Sequence, residues 1–219
     1  MVYDLFNQLA LEIEDVAQDL ASSGLATPIL RVADCGCGNG FSTLSLLTVL
    51  SAKQVLGIDQ NSDAIRLAKA TLECLRSSAR SIAPETHKCK AVAGFFAALS
   101  RDPVISFHVG DILTGEDLPN DQDLVYCRKV LAPIHEGEFN NPIDGPNAVQ
   151  VALEILSRTI KPTGHLLLVE KKARDFRPFL EKASLNIVRT AYYERGDIGT
   201  KGRIVLYKTR YVAYLCAKD

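Results

Sequence analysis

The 219 residues are 47% hydrophobic and 23% charged, with a formal net charge of −1, the proportions of a globular chain long enough to bury a core without metal or disulfide support. So neutral a balance gives no global electrostatic case for nucleic-acid or membrane partners. The charge is uneven along the chain, however. The first sixty residues carry only Arg31 and Lys53 against seven acids, whereas the stretch from Lys161 onward holds 13 Lys or Arg against 6 Asp or Glu. That basic C-terminal third reads as a solvated surface, with a preference for an anionic substrate as the alternative.

Leu5, Leu9, Ile13, Val16 and Leu20 recur at helical spacing and predict an amphipathic helix over 4–22, closing near Gly24. Its acidic start lacks the cationic region of a signal peptide, and no apolar run approaches the ~18 residues of a membrane span. A first strand is expected at ILRVADC (29–35), a helix at STLSLLTVLSA (42–52) and a second strand at QVLGID (54–59). Asn61 or Ser62 is placed to cap the next helix, DAIRLAKATLECLRSSARS. A further helix over 88–99 precedes a third strand, VISFHVGD (104–111), and a fourth, DLVYCRKVL (123–131).

The polar stretch PIHEGEFNNPIDGP then reads as a loop. A helix over 147–160 and a turn at KPTGH lead to a fifth strand, LLLVEKK (166–172). After a short helix near 175–183, strands over 185–193 and 203–216 leave no room for a crossover helix and should pair antiparallel at one edge. The alternation predicts an α/β fold with a parallel sheet and right-handed crossovers, spanning 1–219 as one domain. Six cysteines (Cys35, Cys37, Cys74, Cys89, Cys127, Cys216) show no repeated CxxC pair. They read as reduced thiols of a cytoplasmic protein, with no metal site.

The first strand runs into VADCGCGNGFST, where Gly36, Gly38 and Gly40 alternate after Asp34. A bare backbone opening a helix suits close approach to a charged small ligand. The dinucleotide pattern G-x-G-x-x-G fails in both frames, meeting Phe41 from Gly36 and Thr43 from Gly38. No Gly-Lys-Ser/Thr follows for a phosphate loop. What fits is D-x-G-x-G-x-G over Asp34 to Gly40, with Asp59 ending the second strand and Asp111 following the third. A carboxylate at Asp59 can accept from both ribose hydroxyls of a nucleoside lying across the strand ends.

On VADCGCGNG, GIDQN, GDI and the terminal strand pair, the chain resembles the class I S-adenosylmethionine-dependent methyltransferases over nearly its whole length. The resemblance implies a Rossmann-like, seven-stranded, mostly parallel sheet with an antiparallel terminal strand and helices on both faces. The extra helix between strands 2 and 3 would elaborate it. It implies S-adenosylmethionine as cofactor. Gly36, Gly38 and Gly40 would let the backbone pass under its methionine part and ribose, and Asp34 would lie near its amino group. Asp59 would hold the ribose, Gln60 would lie beside the adenine, Asp111 would accept from the adenine amine and Ile112 would cover the ring. Cys127 and Arg128 would border the methionine end and the transferred methyl. Each has a plainer reading too, Asp111 as a turn cap and Ile112 and Cys127 as core.

In-line methyl transfer needs alignment and exclusion of water, and a general base only where the acceptor is protonated. After the fourth strand stands YCRKVLAP, with neither the Asn/Asp-Pro-Pro-Tyr/Phe motif of amino-nitrogen acceptors nor a Pro-Cys pair. The following loop holds His135, Glu136, Glu138, Asn140, Asn141 and Asp144. His135 is the candidate general base, against the plainer reading of an exposed loop histidine. His108 reads as a sheet residue. Residues 1–25 form an N-terminal helix or lid, with Tyr3 and Phe6 either over the cofactor or packed in the core. The leading expectation is a monomeric or homodimeric methyltransferase acting on a small-molecule acceptor. A basic surface from Lys171, Lys172, Arg174, Arg195, Lys201 and Arg203 would instead favour RNA or protein, so nucleic acid is possible but not favoured. A non-catalytic cofactor-binding module and aminopropyl transfer are further alternatives.

Overall fold

The structure, a computed structural model, describes residues 2–26, 28–81, 90–137, 145–171, 174–198 and 206–218. Its elements in chain order are α1 (Val2–Ser23), β1 (Arg31–Cys35), α2 (Phe41–Leu50), β2 (Gln54–Asp59), α3 (Ser62–Ser81), α4 (Lys90–Leu99) and β3 (Val104–Val109). They continue with β4 (Gln122–Arg128), α5 (Leu131–Glu136), α6 (Gly145–Thr159), β5 (Ile160–Lys171), α7 (Arg177–Lys182), β6 (Leu185–Ile198) and β7 (Leu206–Lys218). The strands form one seven-stranded sheet in the order β3-β2-β1-β4-β5-β7-β6. The neighbours among β1 to β5 pair in parallel, and β7 runs antiparallel between β5 and β6. This is the expected Rossmann-like arrangement.

Period-two alternation divides each central strand between two core layers. Val32, Leu124, Tyr126 and Leu167 face a layer with Leu9, Val16, Leu44, Leu72 and Phe95 from α1 to α4. Ala33, Cys35, Val125, Cys127 and Leu168 face a second layer with Leu131, Val149, Leu153 and Leu180 from α5 to α7. Burial on both faces explains the near-continuous apolar run of β4, while edge strand β3 has Val104 and Val109 exposed. Phe6 meets Phe96 of α4 edge-on, with ring centroids 5.8 Å apart, so the extra helix packs on α1.

The last strands run beyond expectation, β6 to Ile198 and β7 to Lys218, and three other segments differ in kind. The strand expected to run through Leu131 ends at Arg128, because Lys129 takes a left-handed φ of 60°. The loop expected from Pro133 onward is a helix up to Glu136. Pro133 is tolerated there because first-turn N–H groups have no acceptor within the helix, and Leu131 and Ile134 bury one face. The turn expected at KPTGH is absorbed into β5 as a register shift, Gln122 pairing Ile160 and Leu124 pairing His165. Residues 138–144, which hold Glu138, Asn140, Asn141 and Asp144, lie outside the described residues, as do Cys89, Lys172, Lys201 and Arg203.

Candidate active site

The glycine loop lies between β1 and α2. Gly36, Gly38 and Gly40 all have left-handed φ, of 80°, 53° and 85°, a region that costs any other L-residue strain. Their surroundings differ. A Cβ on Gly36 would collide with the Val130 side chain. One on Gly40 would lie 2.8 Å from Cβ of Ala68 and 2.9 Å from the Phe107 ring. One on Gly38 would meet nothing within 4 Å. Gly40 therefore lets α2 close onto α3 and β3, and Gly38 leaves space open where a ligand can lie.

Two clefts flank this loop at the carboxyl ends of the strands. The first, of about 410 Å³, is lined by Gly36, Gly38, Asp59, Gln60, Asp111 and Ile112, with Asn61, Val130 and Ile134 among its other walls. The second, of about 370 Å³, has Asp34, Cys37, Asn39, Phe41 and Ser42 on one side and Gln8, Leu11 and Glu12 of α1 on the other. Gly36, Arg128 and Lys129 line both, so the clefts meet at the end of β4. Each has the size of a small-molecule site.

Asp59 ties the loop to β2: its carboxylate accepts from the backbone N–H groups of Gly38 and Asn61, each at 2.9 Å. Asn61 in turn caps α3, its side-chain oxygen accepting from the N–H of Asp63 at 2.9 Å. Asp111 accepts from the N–H of Leu113 at 2.8 Å, so it caps a turn and lines the first cleft as well. Ile112 is buried. Asp34 is 1% exposed and accepts from the Ser42 and Thr43 hydroxyls at 2.6 and 2.7 Å. Burial pushes its carboxyl up to about 6, those two hydroxyls working against the rise and Asp59 adding to it.

Arg128 joins the site to the N-terminal helix. It pairs with Glu12 and lies 3.6 Å from Asp15 and 3.8 Å from Asp19. Asp19 is fully buried and accepts from Tyr126 at 2.5 Å, from Tyr193 and from Arg195. Arg195 also lies 3.0 Å from Asp15 and over the Tyr211 ring, 4.9 Å from its centroid. Arg195 is thus 6% exposed and committed to α1, not part of a basic surface. Arg174 is committed as well, to His135 and Glu136.

Other expected site residues lie elsewhere. Cys127 is fully buried beside Cys35 and lines neither cleft, with burial pushing its thiol far up. His135 lines neither cleft: its Nδ1 lies 2.6 Å from Arg174, which can only donate, and Phe179 packs edge-on to the ring. His108 is an exposed sheet residue. The clefts add residues that sequence reasoning missed, Glu12, Lys129 and Val130 above all. Among the described residues no group of three or more His, Cys, Asp or Glu is placed to hold a metal ion, and no helix is long and apolar enough to cross a membrane.

Residues 27–82 match a family described as a methyltransferase domain. They contain the glycine loop, Asp59 and the capped start of α3. The chain has the class I S-adenosylmethionine-dependent methyltransferase fold. A TehB-like S-adenosylmethionine-dependent methyltransferase from Corynebacterium glutamicum shares it at 17% identity and a TM-score of 0.55, over 93% of this chain and 87% of that one. A protein from Bacillus halodurans described as a putative methyltransferase matches at 15% identity and a TM-score of 0.60 over 94% of this chain and 99% of that one. Magnesium protoporphyrin IX methyltransferase from Synechocystis, solved with S-adenosylmethionine bound, matches at 19% and 0.54 over 98% and 83%. No curated protein matches in sequence.

The Synechocystis neighbour of this fold binds S-adenosylmethionine, and the first cleft has the chemistry to fit such a nucleoside. Two carboxylates at adjacent strand ends, an apolar cover at Ile112 and the open face of Gly38 converge on one space.

Proposed function

We propose that the protein transfers a methyl group from S-adenosylmethionine to a small-molecule acceptor by in-line displacement. The convergence of Asp59, Asp111, Ile112 and Gly38 on one cleft that opens into a second at Arg128 and Lys129 carries this reading. Asp59 holds the ribose, Gln60 and Ile112 flank the adenine, and Asp111 accepts from its amine. The backbone at Gly36 and Gly38 passes under the cofactor. Its methionine end reaches the second cleft, with Asp34 near the amino group and Arg128 at the border. The cofactor supplies the reactive sulfonium, and these residues align it and exclude water.

The N-terminal helix acts as a lid on the second cleft, through Gln8, Leu11 and Glu12 rather than Phe6, which packs on α4. A small acceptor is favoured because Arg195 is buried against α1 and Arg174, at the surface, pairs with Glu136, so neither adds a free charge to an extended basic face. Free thiols at Cys35, Cys37, Cys74, Cys127 and Cys216 suit a reducing, cytoplasmic setting.

Calorimetry tests the cofactor site. S-adenosylmethionine and its demethylated product S-adenosylhomocysteine should both bind, and Asp59→Ala should weaken them by at least about tenfold, since it removes both the ribose acceptor and the tether to Gly38. Undiminished binding by the variant would refute the site, and no binding to the wild type would refute the function. Release of S-adenosylhomocysteine during incubation with metabolite pools, RNA and cell protein distinguishes the acceptor classes.

A further inference from the structure

Glu170 is the penultimate residue of strand β5, fully buried, and lines neither cleft. A buried carboxylate is costly unless it is hydrogen-bonded or paired. Its Oε1 accepts from two backbone N–H groups of one turn, Val130 at 2.9 Å and Leu131 at 2.7 Å. These residues directly follow Lys129, whose own N–H donates to the Val169 carbonyl at 2.9 Å.

Three observations connect this turn to the cleft. The sequence from Asp123 to Leu131 is strand-like, yet β4 ends at Arg128 and Lys129 is left-handed, a conformation a non-glycine residue keeps only when its surroundings enforce it. Val130, next in the chain, abuts Gly36 closely enough to exclude any side chain there. Lys129 and Val130 both line the first cleft, as Asp59 does.

We propose that Glu170 is a positioning residue for the cofactor site: by capturing the N–H groups of Val130 and Leu131 it stops β4 at Arg128, turns the chain at Lys129 and seats Val130 under the glycine loop. The inference rests on the first cleft being the S-adenosylmethionine site. The bonds to an ionised acceptor are stronger than neutral ones, and they also satisfy first-turn donors of α5.

The test is calorimetric titration of the whole protein with S-adenosylhomocysteine at pH 8, at a temperature where circular dichroism shows each variant folded. Glu170→Ala should weaken binding by about tenfold or more, as expected for loss of a charge-assisted hydrogen bond. Glu170→Gln, which keeps an acceptor oxygen, should stay within about threefold of wild type. Leu156→Ala, a comparable truncation of a fully buried α6 residue in the same core layer, should leave affinity unchanged. Amide exchange at Val130 and Leu131 should be slow in the wild type and Glu170→Gln and fast in Glu170→Ala. Should Glu170→Ala not fold, Glu170→Asp, which withdraws the carboxylate by one methylene, carries the same expected loss. Wild-type affinity in the Ala or Asp variant, or an equal loss in Leu156→Ala, would overturn the inference. Failure of the wild type to bind would instead refute the proposed function, and the exchange rates would still report on the turn.

Discussion

Asp34→Asn should make the unliganded protein more stable at neutral pH while weakening its cofactor binding. Burial raises the Asp34 carboxyl from 3.8 to about 6 in the folded chain. Between those values the native state binds more protons than the unfolded one, so this group's contribution is fully favourable below pH ~4 and is lost as pH rises through 6. A displacement of about two pH units corresponds to roughly 3 kcal/mol. An asparagine oxygen can still accept from Ser42 and Thr43 without carrying a buried charge. Urea denaturation at pH 4 and pH 8 should therefore give nearly equal stabilities for wild type and variant at the lower pH. At the higher pH the variant should gain about 1–3 kcal/mol. Taking the difference between the two proteins cancels other titrating groups, notably Glu170, whose buried carboxyl is pushed up to about 7.

In the proposed site, the carboxylate that destabilises the free protein is the form that would attract the cofactor's ammonium. Wild-type affinity for S-adenosylmethionine should rise with pH up to about 6, by no more than about tenfold per unit, and level off above it. Asp34→Asn should bind more weakly, with that slope gone. A variant that is destabilised at pH 8, or a wild type whose affinity is flat between pH 5 and 7, would refute the reasoning.

The glycines should separate in the same assays. Gly40→Ala forces a Cβ to 2.8 Å from Ala68 in a left-handed backbone and should cost about 2–3 kcal/mol in urea denaturation. Gly38→Ala, with open space around it, should cost only about 1 kcal/mol of stability but lower S-adenosylhomocysteine affinity more than Gly40→Ala does. Equal effects of the two on affinity would contradict the assignment. Asp19→Asn removes the charge that faces buried Arg195 and should cost about 3–5 kcal/mol, measured by the same denaturation. A loss under about 1 kcal/mol would show the cluster to be inessential to α1 docking.

The elements legible in the sequence were those whose boundaries are set by local chemistry. β2 occupies 54–59 as expected, because its apolar run stops at an acid and the next helix starts on a residue able to cap it, Asn61. The end of β4 was not legible, because nothing in YCRKVL opposes an extended chain. What stops the strand is Glu170, 39 residues beyond Leu131, acting on the backbone of a segment that would otherwise continue. The reach of β5 back to Ile160 depends likewise on a partner strand that tolerates a register shift.

The site shows the same division between local and distant causes. Asp59 and Asp111 could be found because strand ends in a parallel sheet converge on one edge, so an acid after each strand is a positional signal. Glycine spacing could not separate Gly38, open to the cleft, from Gly40, which serves packing against Ala68 and Phe107. Nor could it show that Arg128 would be held by Glu12, 116 residues away on a helix whose apolar stripe already accounts for its docking. Hydrophobic packing alone would seat α1 without burying Asp19, Arg195 and Tyr126 beneath it, with Arg128 and Tyr193 half-buried beside them. Buried ion clusters are a poor route to stability, so the cluster is better understood through where it ends, at Arg128 between the two clefts. Arg128 thus ties α1 to the residues that line both clefts, which an apolar contact elsewhere on the helix would not do.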